Sequence, residues 1–311
     1  MTGLRWRLAD DDGGQGQLFD DERMLERHVG KGEFRGMEFL HVNARTIINK
    51  VPGGGGRLPF SYTINPYRGC SNRCNYCYAR PTHEYLGLNI GEDFDRKIVV
   101  KVNAVERVRA EVRPGKWGGH PIAMGTNTDP YQRCEGKYHL TRGILGVLSA
   151  ARNPFSILTK STLILRDLDL LEEAAARTEV STALSIGTLD EEVWRHTEPG
   201  TPHPRRRIEA VARLNEAGVP CGVLMGPVLP GLSDGRDQLA AVVRAAEEAG
   251  ATSISAVPLH LKAGVREHFL AALEAWRPDL VPTYLALFAQ GSYQPAAARA
   301  ALTTVVGELR R

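Results

Sequence analysis

The sequence predicts an α/β protein, a partial (β/α)6 TIM-like barrel with an N-terminal extension and C-terminal helices, and three observations carry that expectation. Short β-rich apolar runs alternate six times with stretches of helical periodicity, the sequence form of repeated βα units and a parallel sheet. Polar residues follow nearly every one of those runs, as expected where strand C-termini gather at one face of a barrel. At 311 residues the chain has the length of one such barrel with additions at both ends. The expected organisation is an extension over 1–57, a barrel core over 58–263 and a helical segment over 264–311.

Residues 9–17 are polar and glycine-rich and cannot bury enough apolar surface to offset the entropy of ordering, so a loose N-terminus is expected. Met37 to Val42 form a short apolar stretch with Asn43 as a candidate cap, and Gly53 to Gly56 read as flexible linker. The barrel then starts, with candidate strands over 61–65, 121–125, 155–159, 180–186, 219–225 and 253–257. The segment 97–102 is strand-like by composition but runs directly into a helical stretch over 103–112, and it reads as the lead-in to that helix. In the helix over 206–217, Ile208, Val211 and Ala212 share one face, and Gly218 ends the helix ahead of the next strand. After Asp234, Leu239, Val242, Val243 and Ala246 recur at i, i+3, i+4 and i+7, and Gly250 closes that helix as a left-handed cap. The tail over 265–309 has helical composition broken at Pro278, Pro282 and Pro295, and is expected to pack outside the sheet.

A net charge of +3, from 39 basic and 36 acidic residues, is too nearly balanced to imply a nucleic-acid partner by itself. Five cysteines, three of them clustered, do not form the even set of a secreted disulfide scaffold. With neither a signal-peptide pattern nor an apolar run of spanning length, a cytoplasmic protein that enters no membrane is expected.

The clustered cysteines, Cys70, Cys74 and Cys77, lie just beyond the first candidate strand. Three thiolates leave one coordination position open, whereas a structural site normally fills every position with protein ligands. A [4Fe-4S] cube takes a thiolate on each iron, so three cysteines leave one iron for a small molecule. The CxxxCxxC pattern with an aromatic before its last cysteine resembles the signature of the radical S-adenosylmethionine (SAM) superfamily. That resemblance implies that the fourth iron binds the amino and carboxylate groups of SAM. It also implies that an electron from the cluster breaks a carbon-sulfur bond and releases a 5'-deoxyadenosyl radical. An external single-electron donor such as flavodoxin or ferredoxin follows. The alternatives are a zinc site with His83 or an acidic side chain as fourth ligand, in a non-catalytic nucleic-acid module, and an electron carrier, which would need a fourth protein ligand.

The strand ends supply candidates for holding SAM. Lys160, closing the third strand, is the choice for its carboxylate, against the plain reading of a surface lysine. Ser185 at the end of the fourth strand, and Thr126 and Asp129 after the second, are candidates for its ribose or amino-acid part, although serine and aspartate are also ordinary turn residues. Gly125 and Gly187 would let backbone approach a ligand, and also suit plain turns. His260 and Lys262 follow the sixth strand.

A narrower resemblance rests on Asn65 to Cys70, Cys77 to Tyr85, Gly125 to Tyr131, Leu158 to Lys160, and Glu198 to Thr201 leading into Arg205, Arg206 and Arg207. These segments resemble the bacterial radical SAM group related to spore photoproduct lyase. The resemblance implies a lyase-like or repair-like reaction on DNA, with tyrosines near the cluster assisting radical transfer and a cysteine near the second-strand end returning hydrogen. Tyr76 and Tyr78 match the tyrosines, Tyr76 also being a cofactor-binding candidate. The cysteine does not match: the stretch reads Thr126-Asn127-Thr128, and the nearest thiol is Cys134. Cys134 is thus the candidate hydrogen donor, against the plain reading of a packed cysteine, and Cys221 reads as core. The three arginines with His203 form the densest basic cluster, either a DNA contact or a solvated helix face. The alternative function is a radical SAM enzyme on a non-DNA substrate.

Overall fold

The computed structural model describes residues 24–54 and 59–310; the segment 9–17 and residues 55 and 56 of the glycine-rich linker lie outside them. Contacts divide the chain into two compact units, one of Met1–Ser71, Ala79–Thr159 and Arg166–Ser181, the other of Asn72–Tyr78, Lys160–Leu165 and Thr182–Arg311.

The first unit contains β1 (Met24–Val29), β2 (Glu38–Val42), β3 (Ile48–Lys50), β4 (Tyr62–Ile64) and β5 (Tyr67–Arg68). It continues with α1 (Glu92–Arg96), β6 (Lys97–Lys101), α2 (Ala104–Glu111), β7 (Ile122–Met124), α3 (Glu135–Tyr138), α4 (Leu140–Ala150), β8 (Phe155–Thr159) and α5 (Leu168–Ala175). Its strands make one sheet in the order β1-β2-β6-β5 and a run in the order β3-β4-β7-β8. In that run β4, β7 and β8 are parallel and β3 is antiparallel to β4. Strand β9 (Val180–Ser185) carries the chain into the second unit, which adds α6 (Glu191–Thr197), α7 (Pro204–Glu216), β10 (Cys221–Val228), α8 (Arg236–Glu248), β11 (Ile254–Pro258), α9 (Val265–Glu274), α10 (Val281–Leu287) and α11 (Ala296–Leu309). Strands β9, β10 and β11 are parallel neighbours, Cys221 opposite Thr182 and Val223 opposite Ile254. All six expected barrel strands are present, as β4, β7, β8, β9, β10 and β11.

The helices bury the stripes their periodicity requires. In α8, Leu239, Val242, Val243 and Ala246 are buried, and Gly250 adopts φ +69° just beyond the helix, the left-handed geometry of a helix stop. In α4, Leu140, Ile144, Leu145 and Leu148 form the apolar face.

Four expectations need correction. Residues 97–101 are the strand β6, not the lead-in to a helix: Ile98, Val99 and Val100 are all buried, with β2 parallel on one side and β5 antiparallel on the other. A β-branched run buried on both faces of a sheet has no alternation to betray it. Asn43 caps no helix, because the apolar stretch before it is the strand β2. The buried stripe of α7 runs through Pro204, Arg207, Ala210, Val211 and Leu214, which leaves Ile208 and Ala212 half-buried at its margin. Pro282 does not break the tail; it sits in the first turn of α10, where its missing N–H costs nothing.

The tail is more than an outer layer. Val265, Phe269 and Leu273 of α9, together with Tyr284 and Phe288, share a hydrophobic cluster with Cys74 and Tyr76, while α11 packs on α8 and β11. No helix among the described residues is long and apolar enough to cross a membrane.

Candidate cofactor site

The cysteine loop leaves β5 through Gly69, whose φ is +81° and where a Cβ would lie 2.9 Å from both the Phe94 carbonyl oxygen and His83 Cε1. Only glycine fits both the backbone angle and that gap. Within the first unit the Cys70 N–H donates to the Phe94 carbonyl at 3.0 Å. Gln132, fully buried in the loop after β7, donates from Nε2 to the Gly69 carbonyl and accepts from the Ser71 N–H through Oε1, both at 3.0 Å. One amide side chain thus brackets Cys70 from its two neighbours. The Arg133 N–H adds a bond to Ser71 Oγ at 3.3 Å.

Within the second unit the stretch 72–78 is held by the end of α6. The Asn75 N–H donates to the Thr197 carbonyl at 3.2 Å, Asn75 Nδ2 to the His196 carbonyl at 3.0 Å, and the Gly200 N–H to the Asn72 carbonyl at 3.0 Å. Arg73 takes a left-handed φ of 56°, which turns the chain between the first two cysteines.

Glu198, the residue that caps the C-terminal end of α6, organises what surrounds Cys74. Its buried carboxylate accepts from the Tyr76 hydroxyl and from Lys160 Nζ at 2.8 Å, and it pairs with Arg207 Nη2 at 2.7 Å. Lys160 also donates to Ser185 Oγ at 2.8 Å and the Gly226 carbonyl at 3.1 Å, and stands 5.7 Å from the centroid of the Tyr76 ring. Its ammonium thus meets a carboxylate, a hydroxyl and a carbonyl of the second unit. Arg207 donates to the Ser185 carbonyl at 2.7 Å and the Pro202 carbonyl at 3.1 Å. Burial alone would raise the Glu198 carboxyl; Arg207, then Lys160 and the Tyr76 hydroxyl, bring it down to about 2. Burial pushes the Tyr76 phenol well up, and the Glu198 charge adds to this.

Among the sequence-derived candidates, the structure thus gathers Cys74, Tyr76, Cys77, Lys160 and Ser185 in the second unit. Tyr78 lies in the same loop with 49% of its surface exposed. Thr126, Asp129, Cys134 and Cys70 belong to the first unit. Thr126 is half-buried. Asp129 Oδ1 accepts from Thr159 Oγ1 at 2.6 Å and from the Tyr131 N–H at 2.9 Å, so this carboxylate shapes the loop between β7 and the end of β8. Cys134 is fully buried ahead of α3, and burial, followed by the Glu135 charge, pushes its thiol well up. His83 Nε2 sits 2.9 Å from the Lys97 carbonyl oxygen, and burial lowers its ring to about 4. That ring braces the chain beside Gly69.

The two strand-end glycines face backbone. A Cβ at Gly125, where φ is +86°, would lie 1.8 Å from the Leu158 carbonyl oxygen, and one at Gly187 would lie 2.7 Å from that of Pro227. Of the basic cluster, Arg205 and Arg206 are exposed, but Arg207 is 1% exposed and faces inward. His260 stacks on Tyr293 at 4.2 Å between centroids, and Lys262 is exposed. Gln132 and Glu198 were not among the sequence candidates, and Arg207 was one only as part of the basic cluster. The one hint was the Glu198 to Thr201 segment, which carried a resemblance but suggested no role.

The donor set fits a thiolate-bound metal cofactor. All five cysteines are thiols. Burial pushes Cys74 upward, with Glu198 adding to this and Lys160 and Arg207 opposing it, so a proton stays on the bare sulfur at neutral pH. A metal removes that proton outright on coordination. One carboxylate against two cations leaves this buried group with a positive excess, which offsets thiolate charge.

Comparison with known proteins bears on the family of the chain. The sequence model of the radical SAM superfamily matches residues 64–243. An uncharacterised protein of Mycobacterium tuberculosis is 44% identical over 285 residues, which span 92% of this chain and 84% of that protein. An uncharacterised protein of Methanocaldococcus jannaschii is 32% identical over 200 residues, 64% of this chain and 70% of that one. A spore photoproduct lyase variant with bound AdoMet and dinucleoside spore photoproduct has a similar fold, with a TM-score of 0.61 at 18% identity, covering 87% of this chain and 78% of that one.

Proposed function

The chain belongs to the radical SAM superfamily and is an enzyme, and on that premise we propose that Cys70, Cys74 and Cys77 hold a [4Fe-4S] cluster, that SAM binds its fourth iron, and that the substrate is DNA. When bound by these cysteines, the cluster would supply the electron for reductive cleavage of a carbon-sulfur bond of SAM, and with it the capacity to take hydrogen from the substrate.

The observation that carries this reading is the cysteine loop fixed against a buried cationic cluster. Asn75 and Asn72 hold the loop on α6, and Gln132 holds the backbone on either side of Cys70. Tyr76 braces the second and third cysteines through Glu198. Lys160 meets the SAM carboxylate by exchanging one carboxylate partner, Glu198, for another, while Arg207 keeps Glu198 compensated. Ser185, already bonded to Lys160, offers its hydroxyl beside that exchange. Thr126 lies on the loop of the first unit that Asp129 shapes. Tyr78, with 49% of its surface exposed, is the loop residue proposed to pass a radical. The electron comes from a flavodoxin or ferredoxin, and the reducing cytoplasm is the compartment that suits this chemistry.

The DNA part rests on the fold shared with a lyase whose structure holds a dinucleoside photoproduct, and on the exposed Arg205 and Arg206. One observation favours a different substrate: Arg207, the third arginine of that run, is used internally. The buried Cys134 also separates this chain from the hydrogen return implied for the lyase.

The test is anaerobic reconstitution with iron and sulfide, followed by SAM and dithionite. 5'-Deoxyadenosine is expected, at a rate raised by damaged DNA. Colourless protein carrying zinc and no iron would refute the cluster. Deoxyadenosine formation that ignores DNA, with no change in the DNA, would remove the DNA substrate alone.

A further inference from the structure

The four-stranded sheet of the first unit carries a second set of ligand-type side chains. β1 is its edge strand and pairs antiparallel with β2, Glu26 directly opposite His41. His28, two residues beyond Glu26, points to the same face of the sheet. One ligand atom from each of the three side chains lies within 4.8 Å of the others. Glu26 Oε2 is 2.9 Å from His28 Nε2, and the two imidazole centroids are 4.2 Å apart. Tyr138 Oη lies 2.8 Å from His41 Nε2, the kind of outer hydrogen bond that fixes the tautomer and orientation of a ligating imidazole.

A neutral imidazole keeps the lone pair that a metal needs. Two imidazoles and one carboxylate select zinc and its late first-row neighbours over calcium or magnesium, which prefer all-oxygen sites.

We propose that Glu26, His28 and His41 form a site for a divalent transition-metal ion, zinc foremost, that clips the edge strand β1 onto β2. Water completes the coordination, since Glu26 is exposed and both histidines are half-buried. The ion serves the sheet and is separate from the iron-binding cysteines.

The test uses the full chain with its iron cluster in place, equilibrated with micromolar zinc, desalted, and analysed for zinc and iron together. The wild type is expected to retain about one zinc per chain. His28→Ala and Glu26→Gln are expected to retain none, with iron unchanged. Arg27→Ala, on the neighbouring residue whose side chain pairs with Glu38 at 2.6 Å, should keep its zinc. Tyr138→Phe is expected to weaken zinc about 10- to 100-fold by removing the outer hydrogen bond. Cobalt in place of zinc gives a second readout, a visible absorption lost in His28→Ala. The proposal fails if the wild type holds no zinc, or if Glu26→Gln and His28→Ala hold as much as the wild type.

Discussion

Replacing Glu198 by glutamine keeps the shape of the side chain and removes the charge that Lys160, Arg207 and Tyr76 share. A carboxyl held at about 2 in the folded chain, against an ordinary 4.5, contributes about 3 kcal/mol of stability at neutral pH. Because the folded value is depressed, that stability is fully present above pH 4.5 and is lost as the pH falls toward 2. Loss of one partner from a buried ion pair costs about 3–5 kcal/mol, a range that meets the first figure. E198Q should therefore be about 3 kcal/mol less stable than wild type in urea unfolding at pH 7, both in the cluster-free state. The gap should close progressively between pH 4.5 and pH 2, since the wild type alone loses this contribution. Equal stability at pH 7, or a gap that persists at low pH, would refute the assignment of the depressed carboxyl to this network.

Four further outcomes are expected. Alanine at Cys70, Cys74 or Cys77 should each abolish iron binding and deoxyadenosine formation, measured by metal analysis and chromatography after anaerobic reconstitution. Gln132→Leu leaves the Gly69 carbonyl and the Ser71 N–H without their shared partner, costing about 1–3 kcal/mol in urea unfolding and lowering iron occupancy. Cys134→Ala should leave the rate and the product distribution of the SAM reaction unchanged, because its thiol is fully buried; an altered product would make it the hydrogen donor. If DNA is the substrate, alanine at Arg205 and Arg206 together should lower the salt dependence of duplex binding by about 2 in the log-log slope, whereas Arg207→Met should act on stability instead.

The six barrel strands were legible because their signal is local, apolar runs punctuated by turns, and the superfamily was legible from the equally local spacing of Cys70, Cys74 and Cys77. The role of Glu198 was not, since its partner Tyr76 lies 122 residues earlier in the chain. Arg207 was misread for the same reason. A run of arginines at the start of a helix reads as a solvated face, and only the tertiary partner Glu198 turns one of them inward. Strand β6 was misassigned because full burial removes the alternation by which strands are recognised. The pairing of Glu26 with His41 follows from strand register, which nothing in either segment alone specifies. Lys160 and Ser185, by contrast, are both strand-end residues in the sequence, and the structure joins them by a hydrogen bond.

The helices α9 and α10 lie beyond residue 243, where the superfamily match ends, yet they supply Phe269 and Tyr284, and the residue after α10 supplies Phe288, to the apolar shell around Cys74 and Tyr76. The Tyr284 hydroxyl even ties back to the Pro230 carbonyl at 2.8 Å. The minimal working fragment is therefore larger than the recognisable signature. A version shortened after α8 would leave the ring of Tyr76 and the sulfur of Cys74 wet, and the proposed cluster would lose its apolar shelter with all three cysteines still in place.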